Sequence, residues 1–325
     1  MAHSNSTLTD STSADSAQAA EPYRAMVRPA LREVVGRLHP DVVRAAAGDC
    51  GHPDAENERG LRPALALLSA EAVGGRARDA VPGAVAVELA HLFARTHRGI
   101  TGAGPVRGVG PAVLAGDGFL ALALRTLADS TSISLLSSAL VDLVHGEAST
   151  TALHGRPVDG AGAVTVDAYT AAAARARGVL LGCAAGIGAR LGGAHPDAVC
   201  RLTVAGRELG HALHAADDLA ALRRGCPRPL SYPVLYALEA DDGTARELAA
   251  LLARAQSTHG GAELDAATAR QVADLAVRGG GAARTSRTVR RRLDAVLRTV
   301  EAVSVAPSAA GRLTTLVRSA VERAH

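Results

Sequence analysis

The sequence predicts an all-α protein, on three observations. Hydrophobic residues make up 48% of its 325 residues while aromatics make up 2%, with no Trp, so the core is built from Ala, Leu and Val. Such side chains favour closely packed helices over sheets. Apolar residues recur at helical spacing along most of the chain, and no segment shows a sustained strand alternation bounded by turns. The breaks between periodic stretches carry Gly, Pro or Asp, as helix ends should. On a prior of roughly 100–200 residues per domain the length allows one large domain or two, and no repeat of fixed period divides it.

Residues 1–21 are rich in Ser, Thr, Asp and Ala with hardly a large apolar side chain, and predict a disordered leader, either a docking tail or a ragged terminus. The all-α domain is read over 22–325. Helices are predicted over Tyr23–Ala47, Leu61–Gly74, Val81–His97, Pro111–Ala128, Ile133–His154, Thr165–Leu191 and Pro196–Leu222, each an apolar-periodic run closed by a breaker. They continue over Tyr232–Leu238, Gly243–Gln256, Asp265–Val277, Ala282–Val303 and Pro307–Arg323. Within 206–222, Leu209, Ala212, Leu213, Ala216, Leu219 and Ala220 form a continuous packing face, and Gly206 and Gly210 let another helix approach closely. Near its end the adjacent carboxylates Asp217 and Asp218 sit in an alanine-rich run, where charges need a metal, a cation or water beside them.

Composition excludes several classes. Every basic residue among the 35 Lys+Arg is Arg, which reads as compositional bias, and a net charge of +3 gives no reason to invoke a nucleic-acid partner. Cys50, Cys183, Cys200 and Cys226 show no metal or disulfide spacing and suit a reducing cytoplasm. The best apolar runs are broken by Asp117 or Arg190, so no transmembrane segment is expected, and the N-terminus lacks the form of a secretory signal.

Several polar positions carry chemistry. Arg59 and Arg62 lie about one turn apart near a helix start, an arrangement suited to an anion such as phosphate, or are two ordinary surface arginines. His91 and Arg95 share a helix face at i, i+4. The glycine-rich connection after Arg98 is neither a P-loop nor a dinucleotide fingerprint, because no strand precedes it. His211, His214 and Asp218 fall on one helical face and have N/O donors suited to a transition metal, or His214 is a hydrogen-bonding substitute.

Leu-Arg-Pro at 61–63, Glu-Leu-Ala-His at 88–91, Leu-Ala-Gly-Asp at 114–117, Gly-Glu at 146–147, Tyr169, the Gly-x-x-x-Gly-His-Ala-Leu-His-x-x-Asp-Asp-Leu run at 206–219 and Ser-Tyr-Pro-Val-Leu-Tyr-Ala-Leu at 231–238 stand in one order. In that order the chain resembles the isoprenyl (polyprenyl) diphosphate synthases over nearly everything after the leader. The resemblance implies a single-domain helical barrel of the trans-prenyltransferase type that joins isopentenyl diphosphate to an allylic diphosphate. It also implies two aspartate-rich DDxxD motifs that hold Mg²⁺ on the allylic diphosphate, and a homodimer or a heterodimer with an intact synthase.

The chain departs from that pattern at the motifs. Aligned through Glu88 and His97, the first motif falls on 98–102, which read Arg-Gly-Ile-Thr-Gly, and the second keeps Asp217 and Asp218 while Ala221 replaces the third aspartate. By resemblance, Arg59, Arg62 and His91 hold the diphosphate of isopentenyl diphosphate, and Arg107 is what remains of an arginine pair for the other substrate. Ala176 stands where a Lys is expected. Arg98 either binds a diphosphate directly, where a metal once bridged, or is a solvent-facing loop residue. Phe93 is either the floor of a short chain-length pocket or ordinary core. Three functions remain: a prenyl diphosphate synthase with weak or no activity, a non-catalytic subunit of an active synthase, and a terpene cyclase. The scarcity of aromatic faces to stabilise cations ranks the cyclase last.

Overall fold

A computed structural model describes residues 7–47, 60–101, 109–154, 156–157, 162–240, 242–259 and 264–324. Every regular element among them is helical: α1 (Thr7–Val35), α2 (Pro40–Ala47), α3 (Leu61–Ala72), a 3₁₀ turn (Ala77–Ala80), α4 (Val81–Thr101), α5 (Val109–Thr126), α6 (Ser130–His154) and α7 (Val166–Ala173) come first. A π-helical segment (Ala174–Gly178) leads into α8 (Val179–Leu191), α9 (Pro196–Arg223), α10 (Tyr232–Leu238), α11 (Gly243–His259), α12 (Ala266–Arg278), α13 (Gly281–Val303) and α14 (Pro307–Ala324).

The expected all-α class holds, and the boundaries differ in informative ways. Where the sequence predicts a leader to residue 21, α1 is helical from Thr7 onward. Its buried stripe, Ala20, Tyr23 and Val27, starts inside that stretch, so tertiary contact extends the helix upstream of the apolar periodicity. The Tyr23 hydroxyl accepts from Arg312 Nε at 3.0 Å, and Arg312 also pairs with Glu71 at 2.9 Å, tying α1 to α3 and α14. The predicted helix Tyr23–Ala47 is two helices, because Gly36 and Pro40 interrupt it and Pro40 opens α2. Helix α4 runs through Arg98 to Thr101, past the predicted end at His97.

The chain divides into two compact units where the sequence predicts one domain. One comprises Met1–Leu140, Leu180–Gly206 and Leu297–Arg323, and the other Val141–Val179, Arg207–Val296 and Ala324–His325. The boundaries at 140/141, 206/207 and 296/297 fall inside α6, α9 and α13, so no linker or composition shift marks them.

In the first unit α3 is buried along almost its whole length. A Cβ on Gly188 of α8 would lie 2.0 Å from Ala66 O, so the two backbones cross with no room for a side chain. In the second unit Leu219, Val234, Leu248, Leu252, Val272 and Ala276 belong to one core cluster drawn from α9 to α12. The predicted close approach at Gly210 is present there: its Cβ would lie 2.4 Å from Gly178 Cα, at the end of the π segment. On the segment's other side, a Cβ on Gly146 of α6 would lie 2.4 Å from Ala176 N.

By length and composition α5 qualifies as a membrane span, against the sequence expectation; it is the one such helix among the described residues, and a third of it is buried. Asp117 and Arg125 lie within it. Val109 and Leu114 are exposed on it, Leu114 by 62%.

Candidate functional site

In the second unit, α9 presents His211, His214 and Asp218 along one face, all three buried. Asp218 has no solvent exposure at all. A carboxylate in that position is tolerable only if its oxygens are occupied, and they are. Oδ1 accepts from an Arg228 terminal nitrogen at 2.6 Å; Oδ2 accepts from the Tyr169 hydroxyl at 3.0 Å and from the Tyr232 backbone N–H at 3.0 Å. Tyr169 comes from α7, whose first turn is capped by the Thr165 hydroxyl, which accepts from Ala168 N–H. Tyr232 opens α10. The preceding Ser231 turns its hydroxyl to Arg228 O and does not cap the helix, so Asp218 serves as a tertiary cap, its charge facing the positive helix end. Arg228 reaches Asp218 from the turn between α9 and α10, between Pro227 and Pro229.

The Tyr169 hydroxyl is also 2.9 Å from His214 Nε2, and the Tyr169 and Tyr232 rings meet edge-on at 5.0 Å. Burial lowers the His214 pKa to about 4, against the opposing pull of Asp218, so this imidazole is neutral near pH 7. Burial also drives the Tyr169 pKa well above its usual value, and Asp218 adds to the rise. Two turns before Asp218, His211 lies with Nδ1 4.0 Å from Glu208 and no hydrogen bond from either ring nitrogen to a described residue. Burial and then Arg292 depress its pKa. Glu208 itself is paired with Arg292 at 2.5 Å.

These donors do not fit a magnesium ion. Mg²⁺ demands nearly octahedral oxygen at about 2.0–2.1 Å and keeps several waters. Asp218 is sealed from water and already accepts three hydrogen bonds, one from a cation. Asp217 is half-buried, and His214 is turned to Tyr169. Among the described residues no three His, Cys, Asp or Glu side chains lie close enough to share a metal. The Asp217–Asp218 magnesium site expected from the sequence, and the transition-metal alternative at His211, His214 and Asp218, therefore lack a suitable donor set here, while His214 stands as a hydrogen-bonding residue.

In the first unit, α3 and α4 assemble a different environment. Arg62 is 3% exposed and donates from Nε to Glu88 Oε1 at 2.8 Å. His91, one turn after Glu88, has its pKa held well below the usual value, by burial first and then by the guanidinium groups of Arg62, Arg98 and Arg95. The positive charge of three arginines thus acts on one imidazole, with the Glu88 carboxylate paired to Arg62. Such a face suits an anion with several oxygens, since guanidinium binds phosphate oxygens in pairs. Arg98 belongs to it as a half-buried helical residue whose Nε lies 3.4 Å from Ala94 O, and not as part of a loop. Phe93 is half-buried and stacks obliquely on His97, with ring centroids 4.5 Å apart. Arg59 and Arg107 lie outside the described residues.

Sequence reasoning singled out Arg62, His91, Arg98, Asp217 and Asp218 but missed Glu88 as the partner of Arg62 and Arg228 as the partner of Asp218. The one signal for Arg228 was its place between two prolines ten residues after Asp218.

The chain matches the model of the polyprenyl synthetase family over residues 56–224. It is 28% identical to a (2E,6E)-farnesyl diphosphate synthase of Mycobacterium tuberculosis, over 92% of this chain and 90% of that protein. Against a geranylgeranyl diphosphate synthase of the same organism it is 34% identical, over 59% of this chain and 61% of the other. Among solved structures it superimposes on a polyprenyl synthetase from Streptomyces coelicolor A3(2) with a TM-score of 0.80 and 29% identity, covering 92% of this chain and 98% of that one. A family model that spans more than half of the chain, together with near full-length similarity in sequence and fold, makes this protein a member of the polyprenyl synthetase family.

Proposed function

We propose that this protein binds isopentenyl and allylic diphosphates in isoprenoid biosynthesis and, on its own, condenses them weakly or not at all. The observation that carries the reading is the contrast between its two charged clusters. Around His91, Arg62 is paired with Glu88 while Arg95 and Arg98 add further positive charge, a setting suited to a diphosphate, whereas the Asp218 carboxylate is committed to protein donors and a resident cation. Without a metal on the leaving diphosphate, ionisation of the allylic substrate loses its main stabilisation, and each ~1.4 kcal/mol lost slows the reaction tenfold. Arg62, His91 and Arg98, with Arg59 and Arg107, are the proposed diphosphate ligands, and Phe93 the proposed limit on chain length. A cytoplasmic location accompanies this reading.

The test is turnover of labelled isopentenyl diphosphate with dimethylallyl, geranyl or farnesyl diphosphate and Mg²⁺, beside calorimetric binding of isopentenyl diphosphate. Binding that falls about tenfold in Arg98→Ala, with negligible product from the wild type, is the expected pair of results. Product at a rate ordinary for this family, lost in Asp217→Ala/Asp218→Ala, would sink the proposal.

A second reading, a non-catalytic subunit of an active synthase, is supported by α5. Val109 and Leu114 are exposed on a helix whose apolar length is only one-third buried, a face that a partner chain would cover. Co-expression with an intact synthase, followed by light scattering of the purified species, tests it: a mixed dimer is expected. A monomer that ignores the synthase rules it out.

A further inference from the structure

We propose that Arg228 is the resident cation of the Asp217–Asp218 pair, standing where the family's architecture calls for a divalent metal, so that this carboxylate pair neither needs nor takes Mg²⁺. The inference concerns the carboxylates alone and stands whether or not the chain turns over.

Asp218 lies at the end of a helix, fully enclosed, in a cluster of two tyrosines and a histidine. A lone carboxylate there would face a desolvation cost that a counter-charge must offset. Arg228 supplies that charge at 2.6 Å, and Asp217 acts on the same guanidinium as a second, weaker attraction. One guanidinium therefore meets Asp218 directly and attracts the adjacent, half-buried Asp217. A divalent ion arriving at the pair would meet a cation already in contact with Asp218. Repulsion between charges at such distances is large wherever water is excluded.

The anchoring is also built into the chain. Arg228 is fixed by prolines on both sides, and its carbonyl accepts from the Ser231 hydroxyl at 2.8 Å, which shapes the turn that aims the guanidinium back at α9. The Arg228 side chain is 45% exposed while its Asp218 partner is sealed, so the arginine forms the outer wall of the carboxylate's enclosure. To bind Asp218, a metal would have to displace that wall. Arginine is suited to the role because it stays charged at any working pH and presents planar N–H donors to carboxylate oxygens.

The experiment uses the purified full chain, stripped of metal and free of diphosphate, titrated with Mn²⁺ as the probe. Loss of the free aqueous Mn²⁺ resonance reports binding, and thermal unfolding with and without Mn²⁺ reports its consequence. Wild-type protein is expected to leave the resonance undiminished and to melt at the same temperature with and without Mn²⁺. Arg228→Ala removes the cation from Asp218 beside the half-buried Asp217, and the affinity for Mn²⁺ is expected to rise about tenfold or more, equivalent to ~1.4 kcal/mol, with the melting temperature rising in step. Arg228→Gln keeps a donor for Asp218 and provides the same comparison should the alanine variant fold poorly. The gain should vanish when Asp217→Asn is added. The proposal is overturned if the wild type takes up about one Mn²⁺ per chain and loses it in Asp217→Asn, or if the folded Arg228 variants gain no affinity at all.

Discussion

Replacing Asp218 by alanine separates a structural carboxylate from a metal-binding one by the sign of the stability change. In the structure Asp218 serves three donors, and their fates after its removal differ. The Tyr169 hydroxyl keeps a partner, since His214 Nε2 lies 2.9 Å away. Arg228, 45% exposed at its side chain, can turn to water, so the loss of that ion pair counts at the low end of a charged hydrogen bond, about 1.5 kcal/mol. The Tyr232 N–H has no such escape at a buried helix start, and leaving it unpaired costs about 1–3 kcal/mol. Loss of the negative charge at the α10 N-terminus adds a few tenths to about 1 kcal/mol. Asp218→Ala should therefore destabilise the chain by about 3–5 kcal/mol. Asp218→Asn, which retains an acceptor for Tyr232 while losing the charge, should cost roughly half as much. Urea unfolding followed by far-ultraviolet circular dichroism measures both. A carboxylate held ready for a metal beside Asp217 would behave oppositely, because its removal relieves repulsion between neighbours. Unchanged or raised stability in metal-free Asp218→Ala would therefore refute the assignment of Asp218 to the fold.

Three further outcomes follow from the same geometry. His214 is neutral in the fold, with its pKa lowered to about 4, whereas the unfolded chain takes up a proton near pH 6.5; stability is therefore present above that pH and falls as pH drops toward 4, by up to ~1.4 kcal/mol per pH unit. Urea midpoints from pH 7 to 4 should show a shallower loss in His214→Gln, and parallel profiles would contradict the assignment. Gly210→Ala, usually stabilising inside a helix by about 1 kcal/mol, should here destabilise, since its Cβ falls 2.4 Å from Gly178 Cα; a raised melting temperature would mean the crossing is looser than described. Arg62→Ala should cost about 3–5 kcal/mol by stranding the largely buried Glu88, and Arg62→Ala/Glu88→Ala should recover part of it, as a double-mutant cycle would read directly.

The all-α class, most helix cores and the close approaches at Gly206 and Gly210 were legible in the sequence because they depend on spacing and small side chains, which are local. The upstream extent of α1 was not, since Ala20 is buried by tertiary contact ahead of the apolar periodicity that opens at Tyr23, and local pattern does not encode such contact. The same holds for the carboxylate pair. Its two aspartates announce a need for a counter-charge, and sequence alone leaves metal, cation and water open. Arg228 answers it from ten residues away, through a proline-framed turn whose direction no periodicity predicts. The helix end at His97, and with it the loop alternative for Arg98, failed for the converse reason: the glycine after Arg98 suggested a loop, yet the helix carries on to Thr101.

The π segment at Ala174–Gly178 has a consequence for evolution as well as for packing. A π turn holds one residue more than the α-helical turn it replaces, so removing Ala174 would leave a regular helix that is locally sound. The π turn spreads its extra residue over the same full rotation, so that deletion would leave Tyr169 in nearly the same angular phase relative to Gly178, which is pinned against α9. The phenol would keep its direction toward Asp218 and His214. One surplus residue is thus absorbed within the turn, and the phase between a helix crossing and a buried hydroxyl is kept. A single-residue deletion within the segment should therefore be better tolerated than one in the regular turn of α7 between Tyr169 and the segment, which would rotate Tyr169 away from Gly178 by about 100°.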